Sequence, residues 1–205
     1  MATTSDLRAS LTCLTDMGVI FPGYDSGPML PLRPDNGVVF PYMPVVMATH
    51  TANYAEHHPT HSNFMYRFFK NYGVQNFTCT ATFTSGTLAE ARYAMGAHHF
   101  FKSAMRMGFG ESDPYRGVPP PVLSFNALGH GWFQNVPVVI TNYTYNLDSN
   151  QDYVNFNDVH LKEILAPIKF EAILDLLPQY NTRQTRTEHT LEDFVNGRLL
   201  EKGYI

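Results

Sequence analysis

Residues Gln75 to Thr84 read Gln-Asn-Phe-Thr-Cys-Thr-Ala-Thr-Phe-Thr. Phe77, Cys79, Ala81 and Phe83 alternate with Thr78, Thr80, Thr82 and Thr84. A period of two belongs to a strand, which sends successive side chains to opposite faces. The apolar set is expected in the core. The threonine set makes the other face polar, uncharged and strongly β-favouring. Two readings of that face are open: ordinary contact with solvent, or a lumen or subunit contact.

Working outward, the next residues predict a helix from about Thr87 to Met107. Thr87-x-x-Glu90 has the spacing of a capping box. Leu88, Ala91, Met95, His98 and Lys102 fall on one stripe, and Ala94, Ala97, Phe101, Ala104 and Met105 lie beside it. The small residues Ala91, Ala94, Gly96 and Ala97 would let this helix lie close on a sheet. Gly108 and Gly110 end it.

Beyond a proline-rich link at Gly117 to Pro121, Val122 to Leu128 and Trp132 to Tyr145 predict a β-hairpin turned by Gly129-His130-Gly131. In its second strand, Val139, Thr141, Tyr143 and Tyr145 are expected on one face and Val138, Ile140, Asn142 and Thr144 on the other. Ile168 to Leu174 alternates as a further strand. A polar link, Asn181 to His189, leads to a terminal helix at about Leu191 to Lys202. On the N-terminal side, Val38 to Thr49 is β-rich but broken by Pro41 and Pro44, which predicts an edge or bulged strand. Asn53 to Pro59 reads as a loop, and His61 to Tyr72 as an aromatic segment. Residues 1–36, dense in turn formers, read as an extended arm or a loosely ordered tail. The fold class expected is α+β, mainly β, with one principal helix. Residues 37–205 form a single domain.

The 205-residue chain is 44% hydrophobic and 14% aromatic, which excludes disorder over most of its length. Only 16% of residues are charged, against about 25% in an average domain. Depleted charge suits a surface that meets protein, because interface cores exclude charge. The net charge of -4 and the scattered Lys and Arg give no basic stripe of the kind a dedicated nucleic-acid binder carries. No apolar run is long enough for a membrane helix. The N-terminus lacks an apolar stretch of signal-peptide type. Two distant cysteines, Cys13 and Cys79, argue against a disulfide framework and for a reducing cytoplasm.

Catalytic signals are weak. His50, His57, His58 and His61 lie close in sequence, but Pro59 interrupts the His57-x-x-x-His61 pair that a helix would need to hold a metal. His98 and His99 are consecutive and should point apart, one packed and one exposed. No nucleophile elbow, His-Glu-x-x-His or P-loop is present. Cys79 reads as a small core hydrophobe. No catalytic residue, metal ligand or cofactor is therefore assigned.

Several stretches have individual character, in order along the chain: Phe40-Pro-Tyr-Met-Pro-Val-Val46, Pro59-Thr-His-Ser-Asn63, Glu90-Ala-Arg-Tyr93 through His99-Phe100, Gly117-Val-Pro-Pro-Pro-Val-Leu123, Val136-Pro-Val-Val-Ile140 and Asp152-Tyr-Val154. Together, over about residues 38–156, they resemble the baseplate tail-tube proteins of contractile-tailed bacteriophages, the T4-like tube cap or tube initiator. The resemblance implies a tail-tube fold: antiparallel sheets forming a sandwich or barrel, flanked by one helix. It implies a structural virion protein and not an enzyme, assembled in the host cytoplasm and located in the tail baseplate. Copies would form a homohexameric ring that sits on the baseplate hub and templates the tail tube. The outside could contact sheath, and DNA would pass through the lumen without being held. Thr78, Thr80, Thr82, Thr84, Asn142 and Thr144 are then the candidate ring-contact or lumen residues. Two alternatives stand: another tail-tube component, such as the major tube subunit or a terminator, or a His-dependent metal-binding baseplate enzyme using His50, His57, His58 or His61.

Overall fold

A computed structural model describes residues 8–21, 27–74, 76–108, 116–129, 132–147, 149–158 and 162–179. The link expected at 181–189, the terminal helix expected at 191–202, and residues 110, 130 and 131 lie outside them. The chain forms a large antiparallel sheet with one main helix on one face, an α+β, mainly-β arrangement.

The strands are β1 (Ser10–Cys13), β2 (Gly37–Val39), β3 (Val45–Met47), β4 (His50–His57), β5 (Tyr66–Val74), β6 (Phe77–Thr84), β7 (Leu123–Ala127), β8 (Phe133–Asn146), β9 (Tyr153–Asp158), β10 (Lys162–Pro167) and β11 (Lys169–Pro178). Seven of them form the main sheet in the order β2-β1-β7-β8-β11-β6-β3. The proline-broken run Val38 to Thr49 resolves into β2 and β3, the two opposite edges of that sheet. Pro41 and Pro44 sit between them, where no ladder donor is needed.

Strand β6 alternates as expected: Phe77, Cys79, Ala81 and Phe83 are buried, and the threonines are half-exposed. Phe170, Ala172, Leu174 and Leu176 of β11 continue the buried face. Helix α2 (Leu88–Ala104) covers it; the four-residue turn Met17–Ile20 is α1. Thr87 caps α2, its Oγ1 accepting from Glu90 N–H at 3.3 Å, while Glu90 Oε2 accepts from Gly86 N–H at 2.9 Å. The first bond satisfies a donor that the helix start leaves without a partner, and the second ties the residue before the cap back to the first turn. Phe101 packs toward the sheet, its ring 6.2 Å from Phe83 and 5.3 Å from Tyr143.

Strand β8 departs from the expected assignment of faces. Ile140 lies opposite Leu176 and Asn142 opposite Asp175, so Thr141 is a bulged residue without a ladder partner. Its Oγ1 donates to the Asp175 carbonyl at 3.0 Å. An extra residue inverts the alternation downstream. Val138 and Ile140 are buried, yet beyond the bulge it is Tyr143 that meets α2, and Asn142 and Thr144 face away.

Of residues 1–36, expected as an arm, the described parts lie within the fold. Strand β1 pairs on both sides, with β2 and with β7. Leu11 is fully buried. A 3-10 helix, Leu30–Asp35, packs on α2 and on the edge strand β2, with Leu32 fully buried. A Cβ on Gly96 would stand 2.7 Å from the Pro28 carbonyl oxygen, so Gly96 serves this contact and not the sheet. Phe100 points the same way, edge-on to Phe21 at 5.7 Å.

The segment Asn53 to Pro59, expected as a loop, is strand through His57. Strands β4 and β5 pair from His50↔Val74 to His57↔Tyr66. They continue the β3–β6 pairing outward, with one extra residue on the β5–β6 side. A second composite hairpin has the same plan. β8 and β11 form its base in the sheet and β9 and β10 its outer part, closed by Ile168 N–H donating to the Asp152 carbonyl at 3.0 Å. The bases adjoin through β6 and β11. Because those strands run antiparallel, the two outer parts leave the sheet at opposite ends, separated by the eight residues of β6, about 25 Å.

Candidate assembly surfaces

The register brings every expected contact residue onto one face of the sheet. Val45, Thr80, Ile173 and Thr144 form one row across β3, β6, β11 and β8. Met47, Thr78, Asp175 and Asn142 form the next. Thr82 with Glu171 and Asn146, and Thr84 with Lys169, complete the face. Asp175 ties its row together: Oδ1 accepts from Thr78 Oγ1 at 2.8 Å and Oδ2 from Asn142 Nδ2 at 3.1 Å. Tyr42 OH and Thr84 Oγ1 lie 3.3 Å apart. Thr78 and Thr84 are thus each tied by a side-chain hydrogen bond to a neighbouring residue.

Sequence reasoning missed part of this face. Val45 and Met47, 64% and 70% exposed, stand at its open edge on β3. Ile173 lies in the middle and brings Glu171 and Asp175 beside it. The alternation of β11 held that information, since Lys169, Glu171, Ile173 and Asp175 share a period of two.

The β4–β5 hairpin is a second surface. Tyr54, Phe64, Met65, Tyr66, Phe68 and Phe69 are all exposed on it, Phe64 most of all at 78%. Monomeric proteins rarely leave so many large apolar side chains together in water. The rings organise one another: Tyr54 and Phe69 meet edge-on at 5.8 Å, and Tyr66 stacks on Phe68 at 6.4 Å. In the connecting loop, Ser62 Oγ donates to the Phe64 carbonyl at 2.9 Å and accepts from Phe64 N–H at 3.2 Å. That pair of bonds fixes the backbone that carries the exposed ring. Arg67 bonds Glu56 across the strands, 3.1 Å from Nε to Oε1.

A concave site lies at the other end of the sheet, a cavity of about 170 Å³ between α2 and the β9–β10 hairpin. Met95, His98, Tyr145, Tyr153, Leu165 and Phe170 are among its walls. Ser85, fully buried, also lines it, and its Oγ has no hydrogen-bond partner. His98 Nδ1 and Tyr143 OH share a hydrogen bond of 2.7 Å, and Tyr145 meets the imidazole edge-on at 4.6 Å. Burial, then the charges of Lys102 and His99, push the His98 pKa down to about 4, so the ring is neutral at neutral pH. Burial and Lys102 lower His99 as well. Both histidines are half-buried, where one packed and one exposed had been expected: His98 meets the sheet, and its ring lies 5.8 Å from that of His99.

The other described histidines do not converge. His50 and His57 sit at opposite ends of β4, and His58 and His61 lie in the exposed loop. Among the described residues no group of three or more His, Cys, Asp or Glu side chains comes together as a metal site. Burial raises the thiols of Cys13 and Cys79 to about 12, which leaves them as unreactive core groups. No described helix is long and apolar enough to cross a membrane.

No protein-family model matches the chain, and no curated protein matches it.

Proposed function

We propose that this chain is a structural, ring-forming baseplate tail-tube protein, which joins the baseplate hub to the tail tube and starts tube assembly. It acts by association and carries out no reaction. The observation that carries the reading is the threonine-rich face of β8, β11, β6 and β3, ending at an edge strand whose Val45 and Met47 are exposed. An open apolar edge invites pairing with another chain, and ring closure is one way to remove it. Copies of this protein are the partners at that edge. The hub, the tail-tube protein and the sheath are the partners around the ring, in the virion baseplate. The resemblance over residues 38–156 supports the same assignment. A net charge of -4 suits a lumen that passes DNA without binding phosphate.

Light scattering on the purified protein, alone and with tail-tube subunit added, tests the proposal. A ring of about six copies, or a monomer that nucleates tubes, is the expected result. Self-polymerisation into long tubes would assign the chain to the major tube subunit instead. A stable monomer indifferent to tube subunit would overturn the structural reading.

A further inference from the structure

We propose that the Phe64 loop of one copy docks in the cavity between α2 and the β9–β10 hairpin of a second copy, so that subunits join head to tail. The inference rests on the ring-forming reading and names the contact that makes the assembly directional.

Three features carry it. The first is the knob. Phe64 is 78% exposed, and its backbone is held at both N–H and C=O by Ser62 Oγ. A ring presented on a fixed turn costs little further entropy to bury. The second is the hole. A cavity of about 170 Å³ has room for one aromatic ring, because an apolar cavity of about 150 Å³ accepts benzene. Its walls include Met95, Tyr145, Leu165 and Phe170, and sulfur and ring edges are favourable neighbours for a phenyl group. The third is placement. Knob and hole leave the sheet at opposite ends of β6. Set at opposite ends of β6, knob and hole suit a contact made once between each pair of copies, which is heterologous and generates a ring or a filament.

One face of the hairpin adds area to the contact. Tyr54, Tyr66, Phe68 and Phe69 are each more than half exposed. By the register Tyr66 and Phe68 share one face of the hairpin and Tyr54 and Phe69 the other. Phe64 with one such pair offers on the order of 300 Å² of apolar surface, somewhat over a third of the roughly 800 Å² each partner contributes to a standard interface. The rim is ready to meet it, since Leu147 and Leu165 are 53% and 64% exposed.

The test uses the full chain and two surface variants, Phe64→Ala and Leu165→Arg, each checked by circular dichroism and thermal melting. Light scattering against concentration reads the assembly. In either variant the concentration for half-assembly should rise by roughly 30-fold, the loss expected for an aromatic anchor or its pocket. Mixing the two should restore a one-to-one pair, because the intact Phe64 of one variant meets the intact cavity of the other, and the pair should not extend through this contact. If the unmodified protein assembles and either folded variant assembles equally well, the contact is wrong while the ring reading stands. Variants that stay monomeric when mixed also overturn the head-to-tail contact. An unmodified protein that is monomeric at every concentration, with and without tube subunit, overturns both.

Discussion

The hydroxyl of Tyr93 accepts from Val39 N–H at 2.7 Å and donates to the Val39 carbonyl at 2.8 Å. Val39 belongs to β2, an edge of the main sheet, so one side chain on α2 satisfies a donor and an acceptor that a neighbouring strand would otherwise pair. The two edges of the sheet are thus treated differently. β2 is covered by α2, while β3 keeps exposed apolar residues at its margin.

Replacing Tyr93 by Phe keeps the ring but leaves two half-buried backbone groups without partners. A loss of about 1–3 kcal/mol is expected, seen as a lower urea midpoint with unchanged slope. Unchanged stability would mean that water reaches Val39 and that β2 is not closed by this bond.

Thr80 lies between Val45 and Ile173 on the open face. Thr80→Arg or Thr80→Asp should cost little folding stability, because the residue is half-exposed, yet should prevent ring formation by placing a charge at an interface core. Melting and light scattering on the same samples separate the two effects. Assembly of both variants at wild-type concentrations would count against this face as a contact.

Stability should fall with pH below neutrality through His98. Its pKa is depressed from 6.5 to about 4, so between those values the unfolded chain binds more protons than the folded one. The sign follows: the contribution is complete above about pH 6.5 and is lost as pH falls to about 4. His99 shifts the same way, so the comparison is between wild type and His98→Gln. The melting temperature of the variant should decline less steeply across that window. Parallel curves would show that His98 is not the titrating group.

Gly96→Ala tests the packing of the N-terminal segment. Helix propensity alone favours alanine by about 1 kcal/mol. The added Cβ would meet the Pro28 carbonyl oxygen at 2.7 Å, and overpacking against backbone costs about 1–3 kcal/mol. A net loss in urea denaturation is expected. A gain would show that residues 27–36 move off α2 without cost.

Strand β6 and helix α2 could be read from residues alone because each has one buried and one open face, and a half-buried element writes its period into the sequence. The same alternation made the threonine face legible, including four of the six expected contact residues. The β4–β5 hairpin was misread in part for the converse reason. Nearly all of its described side chains are exposed, so no face is selected for burial and no period of two appears. Strand β1, only four residues long, is too short to show a period among the turn formers around it.

The sequence by itself determined which residues are apolar, where α2 starts, and where prolines keep the ladder from running on. Those are local properties of backbone and side chain. Periodicity placed Asn142 and Thr144 on the face of Val138 and Ile140. Only the tertiary structure turned them to the threonine face, because the Thr141 bulge reverses the faces of β8 through pairing with a strand far along the chain. It alone placed the Phe64 loop and the α2 cavity at opposite ends of the sheet, since the separation of two sites in space depends on strand order and direction, which no local pattern encodes.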